Sequence, residues 1–193
     1  IFEPRYKQLI KDCLENEKPL GIPCVIDNTV KEWGTLVFIT ELVKEYENGE
    51  MDIRTKGSRV FRILEIVQTI PDKLYSGAIV NYPEPYNEAD KGSRKLMNQV
   101  LIGLHELHKL LKISKIYPKL ESELLSFDIG HHVGLTLEQE LELLNLFREM
   151  ERQEYIRRHL QKLIPMIKET EALKEKIKLN GHFRDIKPWS PEL

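Results

Sequence analysis

The stretch Trp33-Gly34-Thr35-Leu36-Val37-Phe38-Ile39-Thr40-Glu41-Leu42-Val43 sets the fold class of the first half of the chain. It is dominated by β-branched and aromatic residues, which are typical of strands. Leu36 and Phe38 fall on one side of the alternating pattern, and Val37 and Ile39 fall on the other. Because both faces are apolar over the middle of the stretch, the pattern predicts a central strand of a closed or packed sheet.

Other short runs of period two surround this strand. They lie at residues 22–27, 51–56, 59–69 and 75–82. Asn48-Gly49 is a hairpin signal, because a two-residue turn needs positive φ twice, and it predicts antiparallel pairing of the second and third strands. Gly57-Ser58 and Pro71-Asp72 are expected to make the next two reversals. The short spacing favours a small barrel or sandwich, preceded by one helix at residues 4–16.

From residue 88 the apolar period becomes about 3.6, which predicts helices. One helix is expected at 91–111, with an apolar stripe of Met97, Leu101, Leu104, Leu107, Leu110 and Leu111. A shorter helix follows Pro118 toward His132, and a third opens at Thr136, where Gln139 completes a capping box. The third helix is expected to break or kink at Pro165, and a last helix at 166–179 to end at Asn180-Gly181. The sequence thus predicts an α+β protein with a β-rich part at 1–87 and a helical part at 88–193.

Composition limits the classes of function. The 193 residues include 29 Lys+Arg and 31 Asp+Glu, so a net charge of -2 gives no general attraction to nucleic acid or anionic membranes. No apolar run is long enough to span a bilayer. Two cysteines without a C-x-x-C pair do not suit a disulfide-stapled secreted scaffold. We therefore expect a soluble, cytoplasmic protein.

Sequence signatures of catalysis are missing. No phosphate-binding G-x-x-x-x-G-K loop, G-x-S-x-G elbow or S-x-x-K motif occurs. His105 and His108 lie three residues apart rather than the four of a zincin helix, so both are interpreted as ordinary helix residues. The basic run Arg157-Arg158-His159 is interpreted as a solvated helix face. We predict no catalytic, cofactor-binding or metal-binding residues, and no cofactor.

Several segments resemble one known family. Ile1-Phe2-Glu3-Pro4-Arg5-Tyr6 resembles the opening signature of the amino-terminal domain of Lon-type (protease La) ATP-dependent proteases. The similarity continues at residues 22–26, 34–36 and 52–53, and at the segment Lys56-Gly57-Ser58-Arg59-Val60-Phe61-Arg62-Ile63. Residues 138–152 are similar to a helix of the same domains. The resemblance implies a PUA-like β pseudobarrel, whose first strand would precede Ile1, followed by a small helical bundle.

The resemblance also implies a function. Lon amino-terminal domains recognise polypeptides, and nothing here resembles the ATPase or Ser-Lys protease modules, so we expect a non-catalytic recognition module. We expect it to be longer at its amino end and to stand alone. Its partners would be unfolded or apolar polypeptide segments, a protease or a chaperone, with no membrane partner; a weak homodimer stays open. The alternative is a PUA-like RNA-binding module, against which the net charge argues.

Candidate binding residues follow from this interpretation. An exposed edge strand, or the groove where sheet meets bundle, would accept an extended apolar segment. The aromatic candidates for peptide binding are Tyr6, Trp33, Phe38 and Phe61. The remaining motif residues are expected to have structural roles: Glu3, Pro4, Arg5, Gly34, Gly57 and Arg59. The arginines would pair with carboxylates or cap carbonyls, and the glycines would allow a close approach or positive φ.

Overall fold

The chain is α+β, as predicted. A computed structural model describes residues 1–83, 90–117 and 119–182, and their side chains up to residue 178. The strands are β1 (Leu20–Ile26), β2 (Thr29–Glu45), β3 (Met51–Val67) and β4 (Gly77–Asn81). The helices are α1 (Pro4–Glu15), α2 (Arg94–Leu111), α3 (Ser126–Ile129), α4 (Leu137–Leu144) and α5 (Glu149–His182), with 3-10 turns at Glu121–Glu123 and Gly130–His132.

The described residues form two compact units. The sheet unit comprises Ile1–Glu88 and Leu137–Phe147, and the helical unit comprises Ala89–Thr136 and Arg148–Leu193. The sequence placed α4 in the helical part, whereas α4 belongs to the sheet unit and contacts β1. The boundary expected after residue 87 lies outside the described residues.

The sheet is an antiparallel meander in the order β1-β2-β3-β4. The hairpin expected at Asn48-Gly49 is present, but it is a five-residue loop in which only Gly49 has positive φ. The two-residue turn lies elsewhere, at Asp27 and Asn28, which both have positive φ and join the paired residues Ile26 and Thr29. Asp and Asn tolerate this conformation through local side-chain hydrogen bonds.

The reversal expected at Gly57-Ser58 is wrong. β3 runs without interruption from Met51 to Val67. Gly57 pairs with Val37 and Arg59 pairs with Leu36, so Ser58 is an extra residue between two consecutive pairs. The extra residue is a β-bulge, which bends and twists a strand without reversing it. The reversal at Pro71-Asp72 is confirmed, since it joins the antiparallel strands β3 and β4 and Asp72 has positive φ.

A polar cluster holds α1 to the loop between β3 and β4. Asp12 accepts hydrogen bonds from Lys73 Nζ at 2.7 Å and from the Tyr75 hydroxyl at 2.6 Å. These bonds, from Lys73 first and Tyr75 second, lower the pKa of Asp12, while the bond to Asp12 raises the pKa of Tyr75 to about 12. Gln8 adds two bonds to the same loop, to the Asp72 carbonyl and from the Leu74 amide.

Replacing Asp12 with asparagine is expected to remove a pH-dependent part of the stability. Because the folded pKa of Asp12 lies below its ordinary value of 3.8, its contribution is present above that value and lost as the pH falls. The difference in urea midpoint between wild type and Asp12→Asn should therefore shrink between about pH 5 and about pH 2. Glu15→Gln, on the same helix, is the control. A difference that stays constant across this range would contradict the assignment.

The core of the helical unit is built where α2 packs on α5. Four predicted stripe residues of α2 are buried, whereas Leu111 is exposed. The buried residues of the two helices are Met97, Val100, Leu101, Leu104, Leu107, Ile156, Leu160 and Ile164. Gly103 allows this approach, because a Cβ there would lie 3.1 Å from Leu160 Cδ1.

The helix boundaries of the second half were predicted poorly. The single helix expected after Pro118 is two 3-10 turns and the one-turn α3. The long helix expected from Thr136 is interrupted between α4 and α5. α5 then continues past Pro165 and past Asn180-Gly181, so neither signal ends it. Proline within a helix costs about 3 kcal/mol, and burial of Ile156, Leu160 and Ile164 on one face offsets that cost.

Buried charges mark the first turn of α5. Glu149 is fully buried, and it accepts hydrogen bonds from the amide and hydroxyl of Ser126, both at 2.8 Å, and from Arg152. The Glu149 amide donates to Asp90 at 2.8 Å. The pKa of Asp90 is lowered by this bond and, more strongly, by the amide of Gly92. A carboxylate at a helix amino terminus is favourable, which explains why α5 begins at Glu149.

Candidate functional site

One exposed apolar surface of the sheet unit lies on the hairpin formed by β2 and β3. β1 pairs with β2 only up to Val37, and β4 pairs with β3 only from Arg62 onward. Residues 38–59, which we call the hairpin arm, are therefore a two-stranded extension closed by the Asn48-Gly49 loop. Four large side chains on the arm are 38–46% exposed: Phe38, Leu42, Val43 and Tyr46.

Both long edges of the arm offer backbone hydrogen-bonding groups. Within the described part of the chain, the outer edge of β2 has no strand partner over residues 38–45. Among the described residues, the outer edge of β3 within the arm contacts Ile1, whose carbonyl accepts from the Met51 amide at 3.0 Å. Unpaired edges of this kind are the sites at which another extended chain adds to a sheet.

Bulges shape the arm. The register of β2 against β3 shifts beside Thr40 and again beside Val43. The Thr40 hydroxyl spans the first irregularity by donating to the Arg54 carbonyl at 3.2 Å. Because bulges increase local twist, the arm is not a flat ribbon, which limits uncontrolled edge-to-edge aggregation.

The four aromatic candidates lie in different places. Phe61 is 3% exposed and is a core residue, while Phe38 is 45% exposed on the arm. Trp33 is half-buried and contacts Phe147 with ring centroids 5.8 Å apart. Tyr6 is exposed on α1, beneath the guanidinium of Arg5. Of the four, only Phe38 belongs to the arm, and its arm neighbours were not singled out from the sequence.

The motif residues with expected structural roles lie at the start of α1 and on β2 and β3, and Gly57 and Arg59 fall within the arm. Pro4 is the first residue of α1, and Glu3 accepts from Arg5 in an exposed ion pair at 2.8 Å. Arg59 lies 5.1 Å from the ring centroid of Tyr82.

The two motif glycines differ from each other. Gly34 is required sterically, because a Cβ there would lie 2.5 Å from Phe61 Cζ. Gly57 has neither positive φ nor a close contact, since the nearest atom to its Cβ would be 3.5 Å away. The backbone demand expected for both glycines is therefore present only at Gly34.

The histidine pair of α2 and the two arginines singled out from the sequence have structural partners. His108 is buried with Nε2 3.2 Å from the His132 carbonyl, and His105 pairs with Glu121. Arg157 and Arg158 both bind Glu154, and they lower its pKa to about 2. Among the described residues, no group of three His, Cys, Asp or Glu side chains is placed to hold a metal ion. None of the described helices has the length and apolarity to cross a membrane.

Comparison with protein-family models identifies one family. The family model of the ATP-dependent protease La (LON) substrate-binding domain matches residues 1–162. A Lon N-terminal domain protein from Xanthomonas campestris is similar in structure, with TM-score 0.57 and 22% identity over 80% of this chain and 83% of that one. The N-terminal domain of a Mycobacterium avium complex Lon protease aligns with TM-score 0.48 and 16% identity over 75% and 78%. A search of curated proteins found no match.

The sequence signature and the α+β architecture thus point the same way as the family match, which spans most of the chain. The chain belongs to the family of ATP-dependent protease La (Lon) substrate-binding domains.

Proposed function

We propose that this domain binds extended, apolar segments of polypeptides, and that the hairpin arm is the surface that binds them. The domain itself is non-catalytic in this proposal, and it presents the bound segment to a protease or chaperone. The observation that carries the proposal is the combination of exposed apolar side chains with unpaired strand edges on one hairpin.

The arm supplies the two components that binding by strand addition needs. Backbone N–H and C=O groups along an edge bind any extended sequence, which suits a protein that recognises many substrates. Phe38 and Leu42 add apolar contacts, which favour the sequences that folded proteins bury. Together they favour unfolded chains, because folded proteins pair most of their extended backbone and bury most of their apolar residues.

The charges of the arm favour a polypeptide over RNA. Arg54 on β3 is paired with Glu41 on β2 at 2.7 Å, so this cation is compensated within the arm. Arg62, just beyond the arm, pairs with Glu32 at 2.8 Å. Over residues 38–59 as a whole, five acidic residues face four basic ones, so the arm lacks the net positive charge with which an RNA-binding surface attracts phosphates.

Replacing Phe38 with serine is expected to weaken binding of an unfolded polypeptide about tenfold, because about 1.4 kcal/mol of apolar contact is lost. The measurement is fluorescence anisotropy of a labelled, reduced and carboxymethylated lactalbumin. Leu64→Ser is the matched control, since Leu64 is 62% exposed on β3 but lies outside the arm. Equal affinities of the two variants would exclude the arm as the surface that binds the polypeptide. Circular dichroism verifies that both variants are folded.

A second experiment tests the strand-addition geometry. A short apolar peptide and the same peptide with alternate backbone nitrogens methylated are compared, because methylation removes the donors that an added strand uses. We expect the methylated peptide to bind much more weakly to the wild-type domain. If both peptides bind equally and Phe38→Ser weakens both, the arm binds side chains only, and edge pairing is wrong.

A further inference from the structure

A short segment after α2 combines exposed apolar residues with lysines. Residues 109–117, which we call the lysine segment, contain three lysines and no acidic residue. Its exposed aliphatic side chains are Leu111 at 47%, Ile113 at 50% and Ile116 at 91%. Single exposed apolar residues are common on protein surfaces, but here three occur within six residues, interspersed with lysines.

The lysines are Lys109, Lys112 and Lys115, and none of them forms an ion pair with a described residue. Lys109 and Lys112 lie at the carboxyl end of α2, where a cation is favourable for the helix dipole. Lys115 lies beyond the helix and has no such role. Nearby acids are already engaged, since Glu106 pairs with Lys168 and Glu171 with Lys174.

We propose that the lysine segment docks the domain on an anionic lipid surface, with Ile113 and Ile116 entering the interface and Lys112 and Lys115 contacting lipid headgroups. Interfacial binding of this kind combines buried apolar area with attraction to anionic headgroups. The net charge of -2 does not oppose it, because attraction at a headgroup acts only within about one Debye length, roughly 10 Å.

The geometry favours a lipid surface over a second polypeptide. Polypeptides are bound by grooves, pockets or strand edges. At 91% exposure, Ile116 has almost no protein atoms around it, so it projects and lines no pocket. Residues 113–117 are neither helix nor strand, so they offer no sheet edge. A projecting aliphatic side chain flanked by cations suits a deformable, anionic and apolar medium.

The test is sedimentation of the full chain with vesicles. We expect binding to vesicles of phosphatidylcholine with phosphatidylserine, weaker binding as salt is raised, and little binding to pure phosphatidylcholine. Ile116→Ser should lower the partition coefficient about tenfold or more, as for loss of one buried aliphatic side chain. Lys112→Gln and Lys115→Gln should each lower it about fivefold.

Matched controls lie in the sheet unit. Leu64→Ser removes an aliphatic side chain that is also mostly exposed, and Lys11→Gln removes an exposed lysine on α1. The proposal is overturned if the protein does not bind vesicles. It is also overturned if the control variants weaken vesicle binding as much as Ile116→Ser does. If Ile116→Ser instead weakens binding of the unfolded polypeptide and the protein does not bind vesicles, the lysine segment is a contact for polypeptides. None of these outcomes depends on the hairpin arm.

Discussion

Replacing Glu149 with alanine is expected to lower the free energy of unfolding of the helical unit by about 3–5 kcal/mol. Arg152 and Glu149 are 2% and 0% exposed, so the change removes the carboxylate with which a buried guanidinium forms an ion pair. It also leaves the amide and hydroxyl of Ser126 without their acceptor. Gln153, which donates to Glu149 at 3.2 Å and accepts from the Ser93 amide, loses part of its support as well. The measurement is urea unfolding followed by the helical circular dichroism signal.

Two comparisons isolate the buried charge. Glu154→Ala removes a carboxylate from a partly exposed cluster one turn later, and we expect a much smaller loss, because water screens such pairs more than buried ones. The double replacement Glu149→Leu with Arg152→Met should recover part of the loss, since it removes both buried charges, while the amide and hydroxyl of Ser126 still lack their acceptor. A Glu149→Ala loss no larger than that of Glu154→Ala would show that the buried pair is not important for stability.

This network could not be found from the sequence. Glu149 and Arg152 precede the basic run Arg157-Arg158-His159, for which a solvated helix face was predicted, and nothing in their local pattern marks them as buried. Glu149 is buried because Ser126 and Asp90, which are 23 and 59 positions away in the chain, bind its side chain and amide. Local periodicity carries no information about such partners. The same limitation explains why the sequence extended one helix across the break before Glu149.

The sheet was more predictable, because turns and strands depend on local backbone preferences. The alternation in residues 33–43 predicted β2, and Asn48-Gly49 predicted its hairpin with β3. The reversal predicted at Gly57-Ser58 was wrong, because glycine occurs in bulges as well as in turns. Asp27-Asn28 was missed, although Asp and Asn are both turn residues that tolerate positive φ.

The candidate site was less predictable from the sequence than the sheet and more predictable than the buried network around Glu149. An exposed edge strand was expected, and strand pairing leaves two such edges on the arm. Which aromatic residue would be exposed was not predictable, because Phe38 and Phe61 both lie in strands with apolar residues on both faces. The difference in their exposure arises from the residue opposite each of them on the neighbouring strand. Phe61 is paired with Gly34, whereas Phe38 is paired with Lys56 on the arm.

Replacing Gly34 with alanine is expected to destabilise the sheet unit by about 2–3 kcal/mol, and valine by more. A Cβ at this position would lie 2.5 Å from Phe61 Cζ and 2.6 Å from the backbone carbonyl oxygen of Ile22. A ring can tilt, but the Ile22 carbonyl belongs to β1, whose pairing with β2 runs through Gly34. Relief of the contact therefore requires β1 and β2 to separate. Thermal and urea unfolding of the full chain measure the loss.

Gly57→Ala is the matched control, in the neighbouring strand of the same sheet. The nearest atom to its Cβ would be Thr35 Cγ2 at 3.5 Å, an ordinary contact, and its φ is not positive. Alanine there should be neutral or stabilising by about 0.4–1 kcal/mol, because it restricts the unfolded chain. Adding Phe61→Leu to Gly34→Ala should not restore stability, since the Ile22 carbonyl still blocks the methyl group. If it does restore stability, the ring alone excludes the Cβ, and the close approach of β1 to β2 is not the constraint that requires glycine.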